Sequence, residues 1–225
     1  MGSEMCIRDR TGALIGSARH AIRQVEADVD ILIAAGGEAG GHCGEVSTMV
    51  LIPEVARALK AINVETPILA AGGIATGEQM AAAMAMGASG AWCGSVWLTT
   101  IEAETNPVVK AKMLEAGSRD TIRSRSRTGK PSRQLRSAWT DAWEKENAPN
   151  PLPMPFQSVV SEPPLSHIDK LSQNDHAGAK DLATYWVGQA VGLMNDTQSC
   201  GQVVQQFKTE FLEAIERVES FLPEI

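Results

Sequence analysis

Short, continuous apolar runs alternate with amphipathic stretches along the first half of the chain. The runs are rich in Ile, Val, Leu or Ala and are bounded by glycine, which is typical of buried strands. The strand-like runs are residues 12–16, 29–35, 67–71 and 89–93. Segments of helical character lie between them, at residues 18–27, 53–62 and 76–86. This β-α-β order predicts a parallel sheet covered by helices.

Local signals mark the ends of two of these helices. Pro53 stands where a first-turn proline is favoured. Thr76 and Gln79 fit a capping box, and Gly87 fits a glycine stop. Four strand candidates are fewer than the eight that a closed (β/α)₈ barrel requires. We therefore expect an α/β fold with about four parallel strands.

The second half has a different pattern and predicts a mainly helical region. Residues 107–116 read as a helix capped by Asn106, and residues 202–222 as an amphipathic helix that docks one face. Residues 132–147 read as a helix with Trp139 and Trp143 on one side. The alternating prolines of residues 148–155 exclude a helix or a central strand and indicate a stiff connector.

The composition argues against several classes of protein. The chain has 225 residues and a formal charge of −7, which argues against a general nucleic-acid binder. No apolar run reaches the roughly 20 residues that span a bilayer. The four cysteines are scattered, so neither a metal site nor a disulfide framework is indicated, and we expect a reduced cytoplasm. Residues 1–10 resemble a translated adaptor, and a genuine disordered N-terminus is the alternative.

Glycine follows three of the predicted strands. The turns are GGEAGGHCG at residues 36–44, AAGGI at residues 70–74 and CGS at residues 93–95. Backbone amides in such turns approach an anion closely because no Cβ intervenes, and turns after adjacent strands match a phosphate grip. Tight backbone packing is the alternative explanation for each glycine pair.

His42 lies in the most glycine-rich of these turns. An imidazole in an open loop can remove a proton near neutral pH or stabilise an anion. The alternative is that His42 only fixes its loop by hydrogen bonding. The arginines and lysine of residues 119–136 form a basic run, which we interpret as a solvated surface, with binding of an anionic substrate or an interface as the alternative.

These motifs resemble the nitronate monooxygenase family, whose members are flavin enzymes on a TIM barrel. GGEAGGHCG, TPILAAGGI and MGASGAWCGSVWL occur in the family's order, and the resemblance runs from about residue 12 to the C-terminus. It implies that the fold is the C-terminal half of a (β/α)₈ barrel followed by a helical region. Residues 11–105 would then form a partial barrel with the FMN-site loops, and residues 106–225 the helical region.

The resemblance implies FMN as cofactor and no metal. The substrates would be a nitronate or nitroalkane and O₂. His42 would be the catalytic base or hold the nitronate. Gly188 and Gln189 would lie near the flavin. The cofactor-binding residues implied are Ala39, Gly40, Gly41, Gly72, Gly73, Trp92, Cys93, Gly94 and Ser95.

The sequence departs from the family pattern at some positions and leaves alternatives open. The family usually has glutamine where this chain has Ala35, and more polar residues where it has Trp92 and Cys93. An FMN-dependent enoyl-acyl-carrier-protein reductase shares the EAGGH and AAGGI patterns and is the alternative enzyme. The non-enzyme alternative is an inactive half-barrel fragment, whose unpaired sheet edges would favour association. A homo-oligomer is also left open.

Overall fold

The computed structural model of the protein describes residues 10–222, so nearly all of the adaptor-like segment lies outside the described residues. The strands are β1 (Gly12–Ile15), β2 (Ile31–Ala35), β3 (Gly41–His42), β4 (Ile68–Ala71), β5 (Gly90–Trp92), β6 (Thr121–Ser124) and β7 (Ser132–Leu135). The α-helices are α1 (Ala18–Val25), α2 (Thr48–Ala61), α3 (Gly77–Ala85), α4 (Pro107–Glu115), α5 (Ala138–Trp143), α6 (Phe156–Gln173), α7 (Ala177–Leu182) and α8 (Cys200–Glu219). Two 3-10 helices cover Ser95–Thr99 and Gln189–Leu193.

The first half forms a parallel sheet with the strand order β1-β2-β4-β5. On the two central strands Leu32 pairs with Ile68 and Ala34 with Ala70. These four side chains are buried in the main core, together with residues of α1, α2 and α3. Alternate residues of the strands, such as Ala35, face the other side of the sheet. The prediction of an α/β fold with four parallel strands is confirmed.

Helix α3 has the ends that the sequence predicts. Thr76 and Gln79 form the reciprocal hydrogen bonds of a capping box. Gly87 follows the helix with φ +110°, a conformation that a residue with a Cβ rarely adopts. Both signals act over a few residues, which is why the sequence alone reveals them.

Helix α2 corrects one prediction. It begins at Thr48 rather than at Pro53, and Pro53 lies inside it. Proline has no N–H for the carbonyl group four residues earlier, which here belongs to Met49. Met49 is 67% exposed, so Pro53 interrupts the helix hydrogen bonds near the protein surface.

The basic segment forms a β-hairpin, and the helix predicted at residues 132–147 is shorter than expected. β6 and β7 form an antiparallel hairpin, and β3 pairs with the other edge of β7. Only Ala138–Trp143 of the predicted helix is helical. The tryptophans share one side as expected, with ring centroids 6.0 Å apart between Trp139 and Trp143.

Buried polar side chains of this hairpin form hydrogen bonds with one another and with Trp186. Gln134 is fully buried, and its Nε2 donates to Oγ of Ser126 over 3.3 Å. Ser132 is also fully buried and its Oγ accepts from Nε1 of Trp186 over 3.3 Å. A polar segment therefore forms a buried strand here, which a hydrophobicity pattern does not reveal.

Residues 148–155 form neither helix nor strand, as their prolines predict. The long helix α6 follows them and was not predicted; it contains Pro163 and Pro164. Its inward face includes Leu165 and Ile168, which belong to a second core with α4 and α7. Helix α6 thus forms the outer wall of the second half.

The C-terminal helix α8 packs one face against α3. The docking predicted from its amphipathic spacing holds for its first half, whereas Ile215 and Val218 near its end are 39% and 61% exposed. Val203 and Ala214 of α8 are buried. Oε2 of Glu210 accepts a hydrogen bond of 2.7 Å from the amide of Gly77 at the start of α3. A Cβ at Gly77 would overlap the backbone carbonyl oxygen of Phe207.

Replacing Gly77 by alanine is therefore expected to lower the free energy of unfolding by about 2 kcal/mol or more, because α8 must shift. Gly201→Ala is the matched control, since a Cβ there lies 3.9 Å from its nearest neighbour. The control is expected to leave stability unchanged or raise it by up to about 1 kcal/mol. Urea unfolding of both variants measures the difference, and equal stabilities would contradict this packing.

Within residues 10–222, none of the helices combines the length and the apolar character needed to cross a bilayer.

Candidate active site

A cavity of about 440 Å³ opens at the carboxyl ends of the parallel strands. Apolar residues such as Ile74 and Leu98 line it beside polar ones. Tyr185 and Trp186 reach it from the second half of the chain. Eight of the ten residues singled out from the sequence line this cavity: Ala39, Gly40, His42, Gly72, Gly73, Trp92, Gly94 and Ser95.

The other two, Gly41 and Cys93, do not line the cavity. Gly41 pairs with Arg133 in the second sheet and has φ +74°. Cys93 packs against the hydrophobic core, and burial raises the pKa of its thiol to about 11. Its carbonyl group accepts a hydrogen bond of 2.8 Å from Nε1 of Trp97. The side chain of Cys93 therefore has a packing role.

Two glycine turns leave backbone amides free at the cavity. Gly72 and Gly73 have φ values of +102° and +74°, which turn the chain sharply after β4. Within the described part of the chain, the amides of Gly73, Ile74, Gly94 and Ser95 donate no hydrogen bond. Amides without a protein acceptor beside an open cavity are suited to hold an anion.

The hydroxyl group of Ser95 can also donate a hydrogen bond to an anion in the cavity. Its Oγ accepts a hydrogen bond of 2.8 Å from the amide of Gly188. A serine hydroxyl has one hydrogen and two lone pairs, so the hydrogen of Ser95 remains available for an acceptor in the cavity. The turn after β5 thus offers amides and a hydroxyl donor together.

Close backbone packing explains two of the glycines. A Cβ on Gly40 would lie 2.8 Å from the carbonyl carbon of Val187, and one on Gly188 would lie 2.7 Å from the carbonyl oxygen of Glu38. The amide of Gln189 donates to that same oxygen over 2.9 Å. These contacts bring the segment with Gly188 and Gln189 against the loop of His42, next to the cavity.

His42 points into the cavity from β3. Its Nε2 lies 2.8 Å from Oγ1 of Thr128, in the turn between β6 and β7. Partial burial lowers the pKa of His42 below its ordinary value, and the positive charge of Lys130 lowers it further. A neutral imidazole is therefore favoured, and a neutral imidazole can accept a proton.

The basic run corrects another expectation, because part of it supports the site rather than facing solvent. The guanidinium group of Arg127 forms a two-bond ion pair with Glu162, at 2.8 and 3.2 Å. It also stacks on the ring of Trp186, 4.1 Å from the ring centroid. Nε and Nη2 of Arg133 donate to the carbonyl oxygen of Gly37 over 3.1 and 2.7 Å.

Sequence reasoning missed Arg127, Thr128, Arg133 and the Tyr185–Trp186 pair. Nothing in their local sequence marks them, since each reaches the site only through the hairpin and the loop that follows α7. Among the residues the structure describes, no group of three acidic, histidine or cysteine side chains could hold a metal ion.

A family model described as nitronate monooxygenase matches residues 10–210. The chain belongs to the nitronate monooxygenase family. A Mycobacterium tuberculosis protein described as a monooxygenase is 52% identical over 210 residues, which are 93% of this chain and 55% of that protein. This chain thus spans about half the length of that relative.

Two solved structures share the fold of this member of the nitronate monooxygenase family. FabK from Thermotoga maritima is 32% identical with a TM-score of 0.76, over 95% of this chain and 64% of its own. Nitroalkane oxidase from Streptomyces ansochromogenes is 26% identical with a TM-score of 0.79, over 93% of this chain and 59% of its own. Both are TIM barrels, so the predicted fold class is confirmed and the family is one of enzymes.

Proposed function

We propose that this protein is an FMN-dependent nitronate monooxygenase. In the proposed reaction an alkyl nitronate and O₂ give a carbonyl compound and nitrite. The observation that supports it most strongly is a single cavity that brings together free amides and His42 in a member of this family. Flavin dependence is general in the family, which supports FMN rather than a metal as the redox group.

The residues present fit the phosphate of FMN. The proposed donors are the amides of Gly73, Ile74, Gly94 and Ser95 and the hydroxyl group of Ser95. A cavity of about 440 Å³ is in the range of cofactor pockets. When bound, the flavin supplies the electron transfer and the reaction with O₂, and the protein supplies binding and orientation.

His42 has two proposed tasks at the open side of this cavity. As a neutral base it removes the proton on the carbon beside the nitro group of a neutral nitroalkane. The imidazolium that results then holds the nitronate anion by its charge. Ile74 and Leu98 line the same cavity and offer apolar surface to an alkyl chain.

The lowered pKa of His42 predicts the pH dependence. Burial and Lys130 both disfavour the imidazolium, so the base form persists below the ordinary value of 6.5. We expect kcat/KM for a neutral nitroalkane to fall on acidification only through a pKa below 6.5. Lys130→Gln removes the repelling charge and should raise the pKa at which kcat/KM falls. A pKa of this profile at or above 6.5 in the wild type, or a lower pKa in Lys130→Gln, would contradict the role of His42 as the base.

The second candidate is an FMN-dependent enoyl-acyl-carrier-protein reductase. The similarity to FabK, 32% identical over 95% of the chain, favours it. Anaerobic stopped-flow reduction of the flavin-loaded protein distinguishes the two functions. We expect a nitronate to bleach the flavin absorbance and NADH to leave it unchanged. Rapid reduction by NADH, followed by reoxidation with an enoyl thioester, would establish the reductase instead.

A further inference from the structure

Thr128, the hydrogen-bond partner of His42, lies in a turn whose own bonds use the threonine hydroxyl. Oγ1 of Thr128 donates its single hydrogen to the carbonyl oxygen of Lys130 over 3.1 Å. The same oxygen lies 3.4 Å from the amide of Lys130, which donates to it. Local side chain–backbone pairs of this kind close a turn independently of distant groups. The hydroxyl group therefore has only acceptor capacity left for the imidazole.

Helix α6 holds this turn in place from the other side. Nε2 of Gln157 donates to the carbonyl oxygen of Ser126 over 2.8 Å, and Oγ of Ser161 donates to that of Arg127 over 2.6 Å. Both donor side chains are fully buried. The position of the Thr128 hydroxyl group is thus set by the body of the protein.

We propose that Thr128 is a positioning residue that fixes the tautomer of His42. Its hydroxyl oxygen accepts the hydrogen on Nε2 over 2.8 Å, which leaves the lone pair on Nδ1. Within residues 10–222 Nδ1 has no hydrogen-bond partner, and the ring lines the cavity. Nδ1 is then the atom that accepts the substrate proton. That last consequence rests on the proposed function, whereas the tautomer itself does not.

Removing the hydroxyl group allows both tautomers to form. A hydrogen bond of this kind changes such an equilibrium by about two- to tenfold. We expect Thr128→Val to lower the rate of proton removal from a neutral nitroalkane by less than that factor, because the rate follows the fraction of His42 that carries its hydrogen on Nε2. Turnover of a preformed nitronate, which needs no proton removal, should fall less than that of the neutral nitroalkane. Thr128→Ser keeps the hydroxyl group and should restore the rate.

The direct test is ¹⁵N NMR of the histidine side chains in the whole chain, at about pH 8, where imidazoles are neutral. His42→Ala identifies the His42 signals. His176 is an internal reference, because its Nδ1 accepts a hydrogen bond of 3.2 Å from the amide of Ala179 and so carries no hydrogen. We expect wild-type His42 to show the same pattern as His176, with the hydrogen on Nε2.

The variants complete the test. Thr128→Val should shift the His42 signals toward a mixture of tautomers, and Thr128→Ser should return them to the wild-type pattern. A hydrogen on Nδ1 in the wild type would overturn the proposal without any variant. An unchanged pattern in Thr128→Val would overturn it as well. If the protein shows the expected tautomer but does not oxidise nitronates, the proposed function fails and the role of Thr128 in fixing the tautomer stands.

Discussion

His42→Ala is expected to lower the turnover of neutral nitroalkanes by about 10²- to 10⁴-fold, the usual contribution of a general base. The side chain is exposed at the cavity, so its removal leaves the core intact. FMN binding should change little, because the proposed phosphate donors lie on the turns after β4 and β5. Nitrite release per bound flavin measures the loss.

Two controls test whether the loss is specific to His42 and to proton removal. His20→Ala removes an exposed histidine of α1 and should leave turnover unchanged. A preformed nitronate given to His42→Ala bypasses proton removal, so its turnover should fall much less than that of the neutral nitroalkane. Equal losses with both substrates would show that His42 does not act as the base. Unchanged turnover of the neutral nitroalkane would remove His42 from the mechanism.

Gly94→Leu is expected to weaken FMN binding at least about tenfold without loss of fold, since one charge-assisted hydrogen bond contributes about 1.5–3 kcal/mol. A Cβ at Gly94 has no neighbour within 4 Å, and its φ of −114° suits any residue. The Cβ of the new side chain therefore meets no protein atom, and we expect the rest of it to enter the cavity that Gly94 lines, where the phosphate is proposed to bind. Flavin fluorescence titration measures the affinity.

Gly40→Ala is expected to lose stability, whereas Gly94→Leu is expected to retain it. A Cβ there would press against the backbone of Val187, so we expect a loss of about 1–3 kcal/mol in stability. Thermal unfolding should thus separate the two variants, with Gly94→Leu close to wild type. If Gly94→Leu binds FMN as wild type does, the phosphate does not lie at the turn after β5.

Local sequence signals suffice for the parallel sheet and for much of the cavity. An apolar run followed by glycine predicts both a buried strand and the turn at its end, as at Ala71 and Gly72. Since parallel strands end at one edge, their turns must meet there. The cavity at the ends of β2, β4 and β5 follows from that rule.

The side of the cavity formed by the β6–β7 hairpin depends on contacts between distant residues, which no local sequence pattern encodes. His42 and Thr128 are 86 residues apart, and the hairpin that joins them buries polar side chains such as Gln134 and Ser132. The arginines of this region looked like a solvated surface, yet Arg127 is buried by its ion pair and its stacking on Trp186. Helix α6 holds the turn despite two internal prolines.

A comparison of FMN with riboflavin tests whether the turns after β4 and β5 hold the flavin's phosphate, because the two ligands differ only in the phosphate group. The protein is titrated with each, and binding is followed by quenching of flavin fluorescence. We expect saturable FMN binding and at least about tenfold weaker binding of riboflavin, because the amides of Gly73, Ile74, Gly94 and Ser95 would lose their anion. Equal affinities, or no binding of FMN, would contradict this expectation.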